Sequence, residues 1–407
     1  MSYRFHQQGS PALHLIVIVG IVIFSLRQEV CTASVLSVFH QQSLRNFVFD
    51  SSSGSLYVGG VNVIYKLGGN LHQDAVVDLG PHHDIVECGD SSSFSLDCML
   101  ASETSDSVNQ ALVLDADSQV LIACGTLYYG SCAKISIADF SAAEYIYRPV
   151  VPNDGSKSVT VVIAPGFTGS SMLYVGAAYS TRGAAAIRDR VSLFSIRQLP
   201  TFEIASVETD SKSSVHILSA FQDNFEMHFV RSYHFNGHVY FFFRRPSSFG
   251  SSEITSHVLR ICTSDRKMHS IVELRLQCSV NNAVYPYLRD VTLIDFNPPL
   301  QMQDSSSVAG STLVGIFTST AEDAGNSAVC LYQMTGKSGV EFGFLSVIKN
   351  CFNGSGDTGP EYLVNPDRCT QTVSCFEIFS LYSFSHLVCF VLFTWMAAGL
   401  FICSVFV

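Results

Sequence analysis

Cysteine is the residue type whose number and spacing say most about the chemistry of this chain. Thirteen cysteines occur in 407 residues, and no two of them are separated by just two residues. The C-x-x-C pattern of zinc sites is therefore missing from the sequence. Free buried thiols are one interpretation. A disulfide framework formed in an oxidising compartment explains so many cysteines better, and the sequence predicts such a framework.

Several cysteine pairs bracket short polar loops. The loop between Cys124 and Cys132 contains Gly130, and a hairpin there would bring the two cysteines within bridging distance. Similar spacing elsewhere leads us to predict three short-range disulfides: Cys88–Cys98, Cys124–Cys132 and Cys351–Cys369. Asn353 begins the only N-x-S/T sequon and is predicted to be glycosylated.

Other candidate chemical motifs are weak. His82-His83-Asp84 could bind a metal, but adjacent histidines point to opposite sides of an extended chain, so a solvated loop is the better interpretation. Gly89-Asp90-Ser91 resembles a serine-nucleophile motif without its final glycine. Arg244-Arg245 indicates a solvated strand end, with an anion or partner contact as the alternative. We predict no catalytic residue, no metal site and no cofactor.

Composition narrows the class of protein. Hydrophobic residues make up 47% and charged residues 14% of the chain, which favours a large packed core over disorder. The net charge of −11 argues against nucleic acid as a partner, because nucleic-acid binding needs basic patches. It argues equally against an anionic membrane surface as the main partner.

The amino terminus has the pattern of a signal peptide. Residues 12–26 are an uncharged apolar run, and small residues follow it at Cys31-Thr32-Ala33. We predict a signal peptide over residues 1–33; an uncleaved anchor helix is the alternative. Cleavage would remove Cys31 and leave twelve cysteines.

From Ser34 to about Val373 the pattern is β throughout, and no convincing amphipathic helix interrupts it. Similar apolar runs recur with a loose period of about 60 residues, which is typical of propeller blades. They are Leu56–Gly59, Leu121–Gly125, Leu173–Gly176, Val239–Phe243 and Leu313–Phe317. The sequence therefore predicts an all-β propeller, with an irregular β-sandwich as the alternative.

Four segments resemble the sema domain of plexins. The first contains Leu56-Tyr57-Val58-Gly59 and continues through Val61 to Leu67, and Gly80-Pro81 with Cys88 forms the second. The third is the loop from Cys124 to Cys132. The fourth contains Arg260-Ile261-Cys262, Val272-Glu273-Leu274 and Cys278. The resemblance covers roughly residues 35–373. Semaphorins share the third segment, whereas the first favours plexins.

The resemblance carries expectations about fold and pairing. It implies a sema-type β-propeller of seven blades, of which residues 34–373 would form about five, so we expect a partial sema domain. It also implies a Cys278–Cys330 disulfide and a partner for Cys262 just beyond Cys369, where Cys375 is the nearest cysteine.

Residues 374–407 form an apolar tail, and residues 387–407 contain no charge. This length could span a bilayer as a transmembrane helix. The alternatives are a lipid-anchor signal, although the polar spacer is missing, and translated intron sequence after Val373.

The resemblance implies a cell-surface module of the secretory pathway that recognises a semaphorin-type protein in guidance signalling and is not an enzyme. A homo-oligomer or a co-receptor is a further partner that it allows, with membrane contact through the tail. A semaphorin-like ligand, a secreted decoy fragment and, more remotely, a hydrolase on a propeller scaffold are the alternatives.

Overall fold

The computed structural model describes residues 39, 41, 43–84, 103–182, 188–208, 211–296, 310–321, 325–336, 338–354 and 360–364. The chain divides into the units Met1–His40 and Gln41–Val407, and every helix and strand named below lies in the second unit. The predicted signal peptide and apolar tail fall outside the described residues. No helix in the described part of the chain is long and apolar enough to cross a membrane.

Five antiparallel sheets, here called blades 1 to 5, dominate the described part of the second unit. Blade 1 contains, in order across the sheet, β1 (Asn46–Asp50), β2 (Ser55–Gly59), β3 (Val63–Leu67) and β4 (Gln73–Asp78). Blade 2 contains β7 (Asn109–Asp115), β8 (Val120–Gly125), β9 (Cys132–Ser136) and β10 (Ala143–Ile146). Blade 3 contains β11 (Val159–Pro165), β12 (Ser171–Ala177), β13 (Phe194–Gln198) and β16 (Ser214–Val215).

The remaining blades follow in chain order. Blade 4 contains β17 (His228–Phe235), β18 (His238–Pro246), β19 (Ile254–Cys262) and β20 (Val272–Leu276). Blade 5 has three described strands, β23 (Tyr287–Phe296), β24 (Gly310–Thr318) and β25 (Ser327–Gln333).

Smaller elements connect the blades. Three two-stranded sheets pair β5 (His82–Asp84) with β6 (Glu103–Ser105), β14 (Val207–Glu208) with β15 (Ser211–Lys212), and β21 (Ser279–Val280) with β22 (Ala283–Val284). The helices within the described residues are α1 (Leu127–Gly130) and α2 (Val340–Phe352), with 3-10 turns at Gly69–Leu71 and Ser219–Phe221.

The blades stack face to face in chain order, as in a propeller. The first strands of successive blades are neighbours: β1 lies beside β7, β7 beside β11, β11 beside β17, and β17 beside β23. Among the described residues, a separate apolar core fills each of the four intervals between successive blades. A two-sheet sandwich would have a single core between its sheets, so the propeller prediction is confirmed and the sandwich alternative is excluded.

The five recurring apolar runs are the second strands of the five blades. They lie in β2, β8, β12, β18 and β24. In β18, the side chains of Val239 through Phe243 are almost completely buried on both faces, because the strand is sandwiched between neighbouring blades. Burial on both faces explains why the runs in β8, β12 and β18 are continuously apolar and do not alternate.

Helix α2 contradicts the expectation of an uninterrupted β pattern. Its 13 residues bury Val340, Phe344 and Cys351, and the helix packs against β20 of blade 4. Several phenylalanines and a glycine within the segment weaken its intrinsic helix preference. Packing against blade 4, which lies far away in the sequence, favours the helix.

Candidate functional site

The adjacent histidines His82 and His83 lie on the short strand β5, not on an irregular loop, and both are exposed. The His82 ring stacks beside Tyr128, with ring centroids 6.2 Å apart. Within the described ranges, no group of three or more His, Cys, Asp or Glu side chains is placed to hold a metal ion. Gly89-Asp90-Ser91 lies outside those ranges.

A disulfide joins Cys124 to Cys132 and closes the loop between β8 and β9. The two cysteines are register partners, so the bond crosses the end of this strand pair. Within the loop, Tyr128 has a left-handed backbone with φ of 52°. Gly130 follows at φ +81°, and a Cβ there would lie 1.7 Å from the carbonyl oxygen of Val151. Only glycine fits this position without displacing the backbone.

The loop presents an aromatic surface, which we call the tyrosine cluster (Tyr128, Tyr145 and Tyr147). The centroid of the Tyr128 ring lies 4.9 Å from the centroids of both other rings, and both contacts are edge-on. The Tyr145 hydroxyl donates to the Leu79 carbonyl at 2.7 Å, and the Tyr128 backbone N–H donates to Asp84 Oδ1 at 3.2 Å. Tyr147 is 67% exposed. The cluster is therefore fixed on its inner side and open on its outer side.

The tyrosine cluster is suited to binding and not to acid–base chemistry. Burial raises the pKa of Tyr145 to about 12 and also raises the pKa of Tyr128. Both phenols are therefore protonated at neutral pH. Aromatic rings with polar tips are enriched at protein interfaces. Sequence reasoning missed this cluster, although Tyr145 on β10 and Tyr147, just after the end of that strand, are two residues apart, the spacing of side chains on one face of an extended chain.

Asn62, in the first plexin-like segment, ties blade 1 to the start of blade 2. It has φ of 67°, a conformation that asparagine tolerates. Its Oδ1 accepts from the Ser107 backbone N–H at 2.6 Å, and its Nδ2 donates to Asp106 Oδ1 at 2.7 Å. The Asn62 backbone N–H in turn donates to the Ser107 carbonyl at 2.7 Å. Asn62 therefore links blade 1 to the residues that precede β7 of blade 2.

Glu273, in the fourth plexin-like segment, is a fully hydrogen-bonded buried carboxylate. Its Oε1 accepts from Arg245 Nε at 2.7 Å, and its Oε2 accepts from the Tyr362 hydroxyl at 3.0 Å. His257 Nδ1 lies 2.5 Å from the same Oε1. Burial alone would raise the pKa of Glu273, but His257 and Arg245 together hold it below its ordinary value.

The same network corrects one sequence interpretation. Arg245 was expected at a solvated strand end, but its side chain is only 7% exposed and pairs with Glu273. Its guanidinium also lies over the ring of Tyr362, 5.3 Å from the centroid. The network therefore links blade 4 to the segment 360–364. In that segment, Leu363 forms an antiparallel β-bridge with Ile217, which follows the last strand of blade 3.

A second buried ion pair connects α2 to blade 4. Arg260 Nη1 and the Tyr240 hydroxyl both donate to the carboxylate of Glu341. The Arg260 guanidinium also lies 4.6 Å from the centroid of the Phe344 ring. Glu341 and Phe344 are both on α2, so this contact sets the position of the helix on blade 4. Arg260 is thus a residue that stabilises the fold.

A second disulfide joins Cys278 to Cys330, which links the segment after β20 of blade 4 to β25 of blade 5. Cys262 and Cys351 are also disulfide-bonded. The cysteines predicted to pair with them, and the Cys88–Cys98 pair, lie outside the described residues: Cys88, Cys98, Cys369 and Cys375. Their pairing stays a prediction. Asn353 is exposed just after the C-terminal end of α2, where a glycan would meet solvent.

Two blades have exposed apolar faces. On blade 5, Val329 and Leu331 alternate along β25 and are 63% and 58% exposed, and Ile316 is the register partner of Val329. We call the surface formed by Ile294, Ile316, Val329 and Leu331 the blade-5 outer face. On blade 1, the exposed residues Phe47, Phe49 and Val76 form the blade-1 outer face. Each face lies on the side of its sheet opposite the core shared with the neighbouring blade.

Comparison with known proteins finds sequence similarity between this chain and plexins. No family profile matches the chain. It is 24% identical over 403 residues to Plexin-A2 of Mus musculus, covering 90% of this chain and 21% of that protein. It is 28% identical over 244 residues to Plexin-B1 of Homo sapiens, covering 58% of this chain and 11% of that protein. The chain thus spans about a fifth or less of the length of these relatives.

Solved structures of plexin and semaphorin extracellular regions have a fold similar to that of this chain. The full extracellular region of plexin A4 superposes with a TM-score of 0.64 at 20% identity, covering 77% of this chain and 36% of that one. Extracellular domains 1–2 of Drosophila semaphorin 1a give a TM-score of 0.50 at 18% identity, covering 78% and 56%. The chain is therefore similar in sequence to plexins over most of its length and has the sema-type β-propeller fold.

Proposed function

We propose that this chain is an extracellular recognition module that binds a semaphorin-type protein ligand and performs no catalysis. The observation that carries the proposal is the plexin similarity across 90% of the chain, together with the fold that the chain shares with the plexin A4 extracellular region. Guidance signalling at the cell surface is the process in which such a module would act.

The tyrosine cluster is the docking surface that we assign to this function. Rigid aromatic side chains lose little conformational entropy on binding, and tyrosine is among the residues that contribute most at interfaces. The disulfide-closed loop holds Tyr128 in place, and Tyr147 offers an exposed ring beside it. Exposed His82 lies beside both Tyr128 and Tyr145 and extends the same aromatic surface.

Surface plasmon resonance with a panel of semaphorins tests both parts of the proposal. We expect at least one semaphorin to bind the folded chain, and we expect Tyr147→Ala to weaken that binding at least tenfold, or about 1.4 kcal/mol. Phe249→Ala is the matched control, because Phe249 is similarly exposed but lies on a turn of blade 4. If no semaphorin binds, the function is wrong. If Tyr147→Ala binds like the wild type, the assigned surface is wrong.

The same proposal assigns the chain to the secretory pathway, as a cell-surface or secreted protein. Two disulfides within the described residues support an oxidising compartment. The exposure of Asn353 supports glycosylation of its sequon. Enzymatic deglycosylation of material from a secretory host should lower its mass, and Asn353→Gln should abolish that change. An unchanged wild-type mass would contradict the glycosylation.

A further inference from the structure

A cavity of about 690 Å³ opens between the outer edges of blades 2 and 3. It lies between the segment after β10 and the strands β13, β15 and β16. Its charged lining is mainly basic and consists of Arg148, Arg190, Arg197, Lys212, Asp189 and Glu203. Among the described residues that line the cavity, cationic side chains outnumber anionic ones, although the net charge of the chain is −11. Small-molecule sites commonly have this volume.

Arg197 lies at the base of the cavity. Its side chain is almost completely buried, with 2% of the residue exposed. Its Nε donates to Ser195 Oγ at 3.0 Å and its Nη1 donates to the Phe202 carbonyl at 2.9 Å. Both acceptors are neutral. No carboxylate in the described part of the chain pairs with this guanidinium, and its Nη2 has no described hydrogen-bond partner.

The two acidic residues of the cavity are engaged with other arginines. Glu203 Oε1 accepts from Arg148 Nη2 at 2.8 Å, and Asp189 Oδ1 lies 3.8 Å from Arg188 Nε. Burial, with a smaller contribution from the nearby charge of Arg148, lowers the pKa of Arg197 to about 9. Arg197 is therefore still charged at neutral pH. A buried charge without a counter-ion is costly, so its presence beside a cavity points to an anionic ligand.

We propose that this cavity binds a small oxyanion, the sulfate or phosphate ester of a sugar-sized ligand, with the Arg197 guanidinium at its base. The planar guanidinium fork matches the oxygen geometry of such groups, and Lys212 at the exposed rim adds a second cation. This site is separate from the tyrosine cluster and would bind its ligand whether or not the chain recognises a semaphorin.

A purely structural role for Arg197 is the competing interpretation, because its hydrogen bond to Phe202 supports the turn after β13. The two interpretations differ in their ligand response. A structural arginine gives the protein no affinity for sulfate, and Lys212, which is exposed, would not influence any such affinity. An anion site requires both cations.

The test uses the full purified chain. Thermal unfolding of the wild type and of Lys212→Gln is followed in sodium sulfate and in sodium chloride at equal ionic strength, and calorimetry measures the binding of glucose 6-sulfate and of glucose 6-phosphate. Because sulfate stabilises folded proteins in general, we expect it to raise the melting temperature of the wild type more than that of Lys212→Gln, and we expect at least one ester to bind. The ester that binds more tightly identifies whether the natural ligand is sulfated or phosphorylated.

Two variants and a control complete the experiment. Lys212→Gln should weaken ester binding at least threefold without affecting the fold, and Arg197→Met should abolish it. Arg275→Gln is the control, since Arg275 is exposed and pairs with Glu253 on blade 4. If Arg197→Met does not fold, the effect of Lys212→Gln on ester binding decides between the anion site and a purely structural role for Arg197. Equal sulfate responses of the wild type and Lys212→Gln, an absence of ester binding, or wild-type affinity in Lys212→Gln would each overturn the proposal.

Discussion

At the scale of single residues, the plexin-like segments are occupied by side chains that hold the propeller together. Glu273 accepts hydrogen bonds in a buried network, Arg260 pairs with Glu341, and Asn62 joins two blades. Each has its partner far away in the sequence. A module that recognises proteins by its surface needs this internal scaffold, and the scaffold residues are the ones that a sequence resemblance detects.

Local sequence patterns do not predict contacts between side chains that are far apart in the sequence. Arg245 follows a run of phenylalanines and was interpreted as a solvated strand end. Its partner Glu273 lies 28 residues away, on a strand two positions across the sheet, and local pattern carries no information about that contact. The tyrosine cluster was missed for the same reason, because Tyr128 lies in the loop between β8 and β9, whereas Tyr145 is on β10 and Tyr147 follows it.

We expect Glu273→Gln to lower the free energy of unfolding by about 3–5 kcal/mol, because it leaves the buried guanidinium of Arg245 without its counter-ion. Denaturant unfolding measures the change. Glu253→Gln is the matched control: Glu253 pairs with Arg275 in solvent, and its loss should cost about 1 kcal/mol or less. Equal effects of the two substitutions would contradict the role assigned to the buried network.

The pH dependence of stability should report the same carboxylate. Because the folded-state pKa of Glu273 lies below its ordinary value of 4.5, its ionised form stabilises the native state above that pH. This contribution is lost as the pH falls through the folded-state pKa. The stability difference between wild type and Glu273→Gln should therefore be constant near neutrality and shrink below about pH 4.5. A stability difference between wild type and Glu273→Gln that grows on acidification would contradict a lowered pKa for Glu273 in the folded state.

A substitution at Gly130 tests the loop that presents the tyrosine cluster. Gly130→Ala would place a methyl group against the Val151 carbonyl at positive φ, so both clash and backbone strain oppose it. Gly237→Ala has nearly the same φ, +73°, but no atom within 4 Å of the added Cβ. The control should lose about 1 kcal/mol from backbone strain alone, and Gly130→Ala clearly more. Thermal unfolding of both variants gives the comparison.

At the scale of elements, strands were predictable and the helix was not. Each recurring apolar run is a second strand, and in blades 2, 3 and 4 this strand buries both faces, which leaves a continuous apolar signature. Helix α2 leaves no such signature. Its segment contains Gly343 and three phenylalanines, and it is helical because Glu341 and Phe344 contact Arg260 on blade 4.

The two described disulfides should contribute unequally to stability. Cys278–Cys330 closes a separation of 52 residues and links blades 4 and 5, whereas Cys124–Cys132 closes a separation of 8. Chain-entropy arguments give about 4 kcal/mol for the longer loop and about 2–3 kcal/mol for the shorter one. Paired Cys→Ser variants, compared by denaturant unfolding, measure both values. A larger loss for the shorter loop would mean that strain or local packing dominates.

At the scale of the whole molecule, the propeller stabilises itself by stacking. Blades 2, 3 and 4 each contribute to two of the cores, while blades 1 and 5 each contribute to one. The loose spacing of the apolar runs predicted the propeller arrangement, and the resemblance to plexin sema domains implied about five blades. Spacing alone could not predict which side chains of the outer blades are exposed, because that depends on which face of each strand meets its neighbour.

The exposed outer faces lead to a prediction about association. Val329 and Leu331 lie on one apolar face of blade 5, and contiguous apolar patches of a few hundred Å² favour protein–protein contact. At about 25 cal/mol per Å², burying such a patch stabilises a complex by several kcal/mol, which can outweigh the repulsion due to the chain's net negative charge. We therefore expect the purified chain to self-associate through this face at micromolar concentration.

The double substitution Val329→Thr with Leu331→Thr should weaken that association at least tenfold, because it makes the face polar while keeping residues that favour strands. Val284→Thr is the control, since Val284 is similarly exposed but lies on the small sheet β21–β22, away from the blade-5 outer face. Sedimentation velocity across a concentration series measures the dissociation constants. A monomeric wild type, or a double variant that associates as strongly as the wild type, would show that this face does not drive contact between copies of the chain.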